Sequence, residues 1–145
     1  MDDTIYVDLA IGPVQLIARE YPDAALWNLL PPFRKEPGMS WGNPTSTVWI
    51  TANVRGNMAG VCALTVAMGN ARCKSDVVLA AYRGLGIYRA MSAFRLDLAV
   101  RMGAKVATAF AGPMSVGQFE RDGFQRGPSS SCRLRAALAT SNSVP

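Results

Sequence analysis

The stretch from Val77 to Met91 limits this chain more than any other. An apolar run, Val77-Val78-Leu79-Ala80-Ala81, enters Tyr82-Arg83-Gly84-Leu85-Gly86, after which apolar residues recur at Ile87, Met91, Phe94, Leu98 and Met102. A run of that kind predicts a strand, and the three-to-four spacing predicts a long helix with one buried face. A helix begins with backbone N–H groups that have no acceptor inside the helix, at the positive end of its dipole. Phosphates bind at such places. Glycine in the turn lets an anion approach the backbone itself. The same Gly-x-Gly also serves as an ordinary tight connection, so the turn needs its surroundings to be informative.

The surroundings are orderly. The helix is predicted to stop at Gly103, Val106 to Ala111 reads as a strand, and Pro113 starts a short helix ending at Gly123-Phe124. A last strand-like piece runs from Cys132 to Leu138. Upstream, Val48 to Val54, Met58 to Val66 and Arg72 to Leu79 are rich in Val, Ile, Thr and small apolar residues, with hairpin turns at Gly56-Asn57 and Gly69-Asn70. Three such strands make an antiparallel meander whose last strand runs into the Arg-Gly-x-Gly turn.

This order, with Arg83-Gly84-x-Gly86 and the later Gly123-Phe124, resembles the GNAT N-acetyltransferase superfamily. The family's cofactor motif is Gln or Arg, two residues, Gly, one residue, then Gly or Ala; Arg83, Gly86 and Tyr88 stand at those positions. The resemblance covers the second half of the chain well and the first half by element order. It implies an α/β (α+β) fold with a mixed central sheet, the antiparallel meander as its second to fourth strands, a long helix after the turn and flanking helices. One domain over 1–139 is expected, with 140–145 a frayed tail.

The N-terminal part is read from its residues. Thr4 to Leu9 is expected to be a strand with Ile5, Val7 and Leu9 on one side. Gly12-Pro13 breaks it, and Val14 to Glu20 is expected to form a short helix with Pro13 in its first turn. Pro22 to Leu30 is expected to form a second; the resemblance makes these the helices that flank an acceptor site. Pro31 to Ser46 is a long Pro/Gly-rich segment carrying Phe33, Met39 and Trp41. Its aromatic residues either close over a substrate, with Phe33 and Trp41 as the candidates, or pin a connection to the surface.

Composition removes several kinds of chemistry. With no histidine, three widely spaced cysteines and no Cys-x-x-Cys pair, neither a zinc site nor Cys-His or Ser-His-Asp machinery is expected. No metal is expected. Reduced, buried thiols and a start lacking a secretory pattern lead to a cytoplasmic expectation, and no apolar run is long enough for a bilayer. The net charge of +5 is scattered without a dense basic block, so nucleic-acid binding ranks below an anionic cofactor.

The resemblance implies acetyl-coenzyme A as cofactor. Arg83, Gly84, Leu85, Gly86, Ile87 and Tyr88 would hold its pyrophosphate, while the backbone around Val78 and Leu79 would pair with its pantetheine arm. One N–H of that strand would polarise the thioester carbonyl. The family's usual general acid, a Tyr four residues before Gly-Phe, is here Phe119, and the Asn seven residues earlier is Gly112. Tyr82, Tyr88 and Ser115 are the substitutes the sequence offers. Asp76 is the candidate base, with a solvated or hairpin-pairing carboxylate as the competing reading. Asp97 and Arg101 are spaced to pair on an exposed helix face, and Glu120 and Asp122 to lie on solvent.

The expected activity is therefore acetyl transfer from acetyl-coenzyme A to an amine, whether a small molecule or a protein. The alternative is a GNAT-shaped binding or regulatory protein that has lost turnover, a pseudoenzyme such as a viral accessory protein or an assembly component, acting through protein partners. The sequence leaves the acceptor and the oligomeric state open.

Overall fold

Val14, Leu16 and Ala18 are fully buried while the residues between them are not, and the segment is extended. The helix expected over Val14 to Glu20 is thus corrected to a strand, Gly12–Glu20. Period-two burial fits a strand in a half-exposed sheet, and Pro13, read as a helix start, instead opens the second arm of a hairpin. A computed structural model of the chain describes residues 2–20, 47–110, 116–127 and 133–138. The expected helix over Pro22 to Leu30 and the loop carrying Phe33 and Trp41 lie outside those residues.

The strands are β1 (Asp2–Leu9), β2 (Gly12–Glu20), β3 (Thr47–Val54), β4 (Asn57–Ala67), β5 (Asn70–Val78), β6 (Val106–Phe110), β7 (Gln125–Arg126) and β8 (Arg133–Ala137). The described helices are α1 (Ile87–Arg101) and α2 (Val116–Arg121), and a 3-10 turn covers Ala80–Tyr82. The strands form one sheet in the order β1-β2-β3-β4-β5-β6-β8-β7. Every pairing is antiparallel except β5 with β6, where α1 makes the crossover. The meander expected between Val48 and Leu79 is β3-β4-β5. The short β7 was not foreseen; it pairs with Leu134 and Arg135, so β8 is not the outermost strand there.

α1 lies on one face of the sheet. Val14, Leu16 and Ala18 of β2, Val48, Ile50, Ala52 and Val54 of β3, and Cys62 and Leu64 of β4 join Ile87, Met91, Phe94 and Leu98 of α1 in one core. Ile5, Val7 and Leu9 pack on its margin, as their alternation predicted. β3 and β4 are buried on both faces, since Trp49, Thr51, Val61 and Ala63 are also inaccessible. Gly60 lets α1 come close: a Cβ there would sit 2.9 Å from the Met91 Cε and 3.3 Å from the Val77 carbonyl.

Both helices end as the sequence predicted. Ala104 N–H bonds to the Ala99 carbonyl and Gly103 N–H to the Val100 carbonyl, with Gly103 at φ 88°. Phe124, Gly123, Phe119 and Glu120 repeat the pattern at the end of α2. This double-bonded stop uses a left-handed residue, which glycine adopts without penalty.

Candidate functional site

Among the described residues, β5 is paired on both sides for only half its length. It bonds to β6 from Asn70 to Cys73, opposite Val106 to Ala109, but runs on to Val78. A bulge lies at the divergence: Ala63 faces Lys74 and Val61 faces Val77, leaving Ser75 and Asp76 together opposite Cys62. Ser75 has φ 60° and is buried. The inserted residue changes the parity of the strand. Ala71 and Cys73 join the α1-side core before the bulge, and Val78 packs there after it.

Beyond the bulge the ladder bond from Leu79 N–H to the Ala59 carbonyl, 2.9 Å, makes Gly60 and Val78 a non-hydrogen-bonded pair. The backbone groups of Val78 therefore point away from β4, into the gap beside β6. The Val78 carbonyl accepts from Arg83 Nε at 2.9 Å. Of the two strand residues expected to meet an extended ligand, Val78 presents its backbone to the gap, whereas the Leu79 N–H is engaged within the sheet.

The chain then turns through Ala80–Tyr82 and two glycines in the left-handed region, Gly84 at φ 75° and Gly86 at φ 88°. Gly86 is the N-cap of α1 and has no side-chain capping bond. Its carbonyl takes the Ala90 N–H, the first bond of the helix, so the N–H groups of Ile87, Tyr88 and Arg89 have no acceptor within it. Among the described residues, no atom beyond the adjacent ones lies within 4 Å of a Cβ built on Gly84, and Arg83, Leu85 and Gly86 are exposed. A helix start without a side-chain cap thus lies, among the described residues, next to a strand end that pairs on one side only.

Behind that junction is a buried ionic cluster. Arg95 of α1 donates Nη1 to Asp76 Oδ1 and Nη2 to Asp76 Oδ2, the latter at 2.8 Å, and Tyr88 Oη donates to Asp76 Oδ2 at 2.6 Å. The bulge thus turns Asp76 toward α1, into neither the solvated nor the hairpin-pairing environment read from sequence. Both carboxylate oxygens are engaged. Burial, the largest single influence, favours loss of the Arg95 proton, but the surrounding interactions, led by the Asp76 carboxylate, together outweigh it and hold the guanidinium charged. Burial first, and Asp76 second, push the Tyr88 phenol well above its usual range. Tyr88 points its side chain into this cluster, while its N–H belongs to the open first turn.

Phe119 is buried, edge-on to Tyr88 at 6.3 Å and to Phe124 at 5.1 Å between ring centroids, with the Arg95 guanidinium 5.9 Å from its centre. Tyr82 packs on the core margin from the 3-10 turn. Ser115 lies outside the described residues. Asp97 does pair with Arg101 at 3.0 Å, and Arg101 also reaches Asp3 at 2.9 Å, tying α1 to β1. Asp122 is not simply solvated, since it accepts from Ser92 Oγ of α1 at 2.8 Å. Sequence reasoning missed Arg95. Its signal was a cation four residues from Met91 in the buried stripe, across from a strand carboxylate.

Sheet order, splayed β5, glycine turn and crossover helix together are the GNAT fold, and solved structures agree. The GNAT domain of S. lividans PAT superposes with TM-score 0.70 over 93% of this chain and 97% of that one, at 17% identity. The PaiA N-acetyltransferase from Thermoplasma acidophilum, solved in complex with coenzyme A, matches at TM-score 0.60 and 9% identity over 65% of this chain. The match spans only 62% of that protein's length. N-acetylglutamate synthase from Neisseria gonorrhoeae, complexed with coenzyme A and L-arginine, gives TM-score 0.67 and 14% identity over 85% of this chain and 33% of the other. No family model matches the sequence, and no curated protein matches it. Among the described residues no helix is long and apolar enough to cross a membrane, and no group of three His, Cys, Asp or Glu is placed to hold a metal ion.

Proposed function

We propose that this chain is a cytoplasmic acyltransferase that moves an acetyl group from acetyl-coenzyme A to an amine acceptor by direct transfer. The observation that carries this reading is the junction of two elements that are incomplete among the described residues: the start of α1, which has no side-chain cap, and the strand end at Val78. The donor set fits the cofactor's chemistry, with N–H groups and Arg83 for a pyrophosphate and a strand edge for the amides of pantetheine. The coenzyme, when bound, supplies an activated thioester.

The residues then divide the work. The N–H groups of Leu85, Gly86, Ile87 and Tyr88 would hold the pyrophosphate, and Arg83 would add charge. Val78 offers its N–H from the open side of β5, where it polarises a carbonyl placed in the gap. Asp76, with both oxygens engaged by Arg95 and Tyr88, acts through geometry rather than as a base. Tyr82 and Ser115 are left as candidates to reprotonate the leaving thiolate, a group whose moderate pKa also lets water serve. Phe33 and Trp41 are proposed for the acceptor.

Calorimetric titration with acetyl-coenzyme A tests the reading. Wild-type protein should bind at micromolar concentration and Gly86→Glu should not, because a carboxylate at the turn repels phosphate. Thiol release in the presence of a panel of amines then identifies the acceptor class. No binding by wild type refutes the reading. Phe119, which cannot donate a proton, favours a second: a catalytically lapsed protein that keeps coenzyme A and acts on a protein partner. Binding without thiol release for any amine would decide for it.

A further inference from the structure

The Arg95–Asp76–Tyr88 cluster lies between the two candidate binding surfaces. Asp76 is two residues before Val78 on the open half of β5, and Tyr88 is two residues after Gly86 in the first turn of α1. Arg95 sits two turns further along the helix, 1% exposed, against an Asp76 side chain 10% exposed. Besides both carboxylate oxygens it reaches the Ala63 carbonyl at 3.4 Å, so β4, β5 and α1 meet at one guanidinium. Tyr88 completes the contact from the helix start, and its ring is wedged edge-on against Phe119.

Resting on the acyl-coenzyme A reading, we propose that Arg95, Asp76 and Tyr88 are positioning residues that set the spacing between the start of α1 and the open half of β5, so that one extended ligand engages both. Two charge-assisted contacts in a close-packed interior fix distance and direction. The turn joining the two surfaces contains Gly84 and Gly86, residues with wide conformational freedom, so it does not fix the spacing by itself. A ligand that bridges two subsites gains from their linkage only when its own length matches the span. The cluster is therefore more important for the whole coenzyme than for either of its ends.

Fragments separate this role from a merely structural one. ADP probes the helix start, pantetheine probes the strand edge, and coenzyme A probes both together. In Tyr88→Phe, which keeps the Arg95–Asp76 pair, the dissociation constants of ADP and pantetheine should stay within twofold of wild type. That of coenzyme A should rise at least tenfold. The double variant Asp76→Leu/Arg95→Met, which removes both buried charges at once, should show the same split. Unchanged coenzyme A affinity in folded Tyr88→Phe would overturn the proposal, as would an equal weakening of ADP and coenzyme A.

Amide exchange on the ligand-free protein decides independently of any cofactor. Tyr88→Phe should accelerate exchange at Ala90, Met91 and Ser92 at least fivefold more than at Ile50 and Leu64, whose rates follow the global loss of stability; an equal acceleration at all five would overturn the proposal. Unaltered rates at Ala90 to Ser92 would overturn the proposal. Failure of wild-type protein to bind coenzyme A would instead remove the acyltransferase reading and leave the exchange result standing.

Discussion

Gly60 has no side chain at a point where Met91, fully buried, fills the space above the sheet. Gly60→Ala should therefore cost about 1–3 kcal/mol, as overpacking of a dense core does. Met91→Ala alone should cost about 2–5 kcal/mol through the cavity it leaves. Urea denaturation of the double variant should give less than the sum, because the new methyl group enters the vacated volume; strict additivity would show that the two sites do not touch. Gly86 is constrained differently, by its φ of 88°; a Cβ built there would meet Leu9 at 3.7 Å, an ordinary contact. Gly86→Ala should lose about 1 kcal/mol through backbone strain alone. Removing the Tyr88 hydroxyl takes one bond from a charged acceptor, and Tyr88→Phe should lower stability by about 1.5 kcal/mol in the same assay.

At the scale of elements, the bulge in β5 matters most, because one extra residue decides which way Asp76 faces. Ser75 takes the left-handed conformation that allows it. A β-branched side chain strongly disfavours that conformation, so Ser75→Val should destabilise the fold by about 2 kcal/mol, readable as a lower urea midpoint. The strand, turn and helix around Gly86 were legible in sequence because each follows from a local signal: an apolar run, glycines that permit positive φ, and three-to-four spacing. The hairpin turns and both glycine helix stops were legible for the same reason. Val14 to Glu20 was misread because Pro13 suggested a helix start while Ile17 and Arg19 blurred the alternation of Val14, Leu16 and Ala18. The bulge left no comparable mark, since Ser75-Asp76 is unremarkable as a dipeptide and its conformation depends on Cys62 across the ladder. Arg95 was hidden in the same way. A buried cation is recognised by its counter-ion, and that counter-ion is on another element.

The molecule as a whole carries a set of protons that folding retains. Burial pushes the Cys62 thiol from 9.0 up to about 12, and burial likewise raises Cys73 and Tyr88. For each, the folded pKa exceeds the unfolded one, so the unfolded chain releases its proton first as pH rises. The stability they supply is complete below about pH 9, near the unfolded thiol value, and is lost as pH climbs toward 12 and beyond. Denaturation midpoints should be flat with respect to these groups near pH 8 and fall through the alkaline range. Cys62→Ala should make the fall shallower, by up to about 1.4 kcal/mol per pH unit over that window. A slope unaffected by the substitution would mean that Cys62 titrates alike in both states.

The half-paired strand has a consequence for heat. The open edge at Val78 and the bare start of α1 are adjacent only in the folded chain. A ligand that completes them binds that state alone and draws the unfolding equilibrium toward it. The melting temperature should then rise with the logarithm of coenzyme A concentration and keep rising well past saturation. At a hundredfold excess over the dissociation constant the gain is about 2.7 kcal/mol. Among the described residues the sheet is one rung short at Val78, and a ligand that supplied the rung would add its own share of thermal stability.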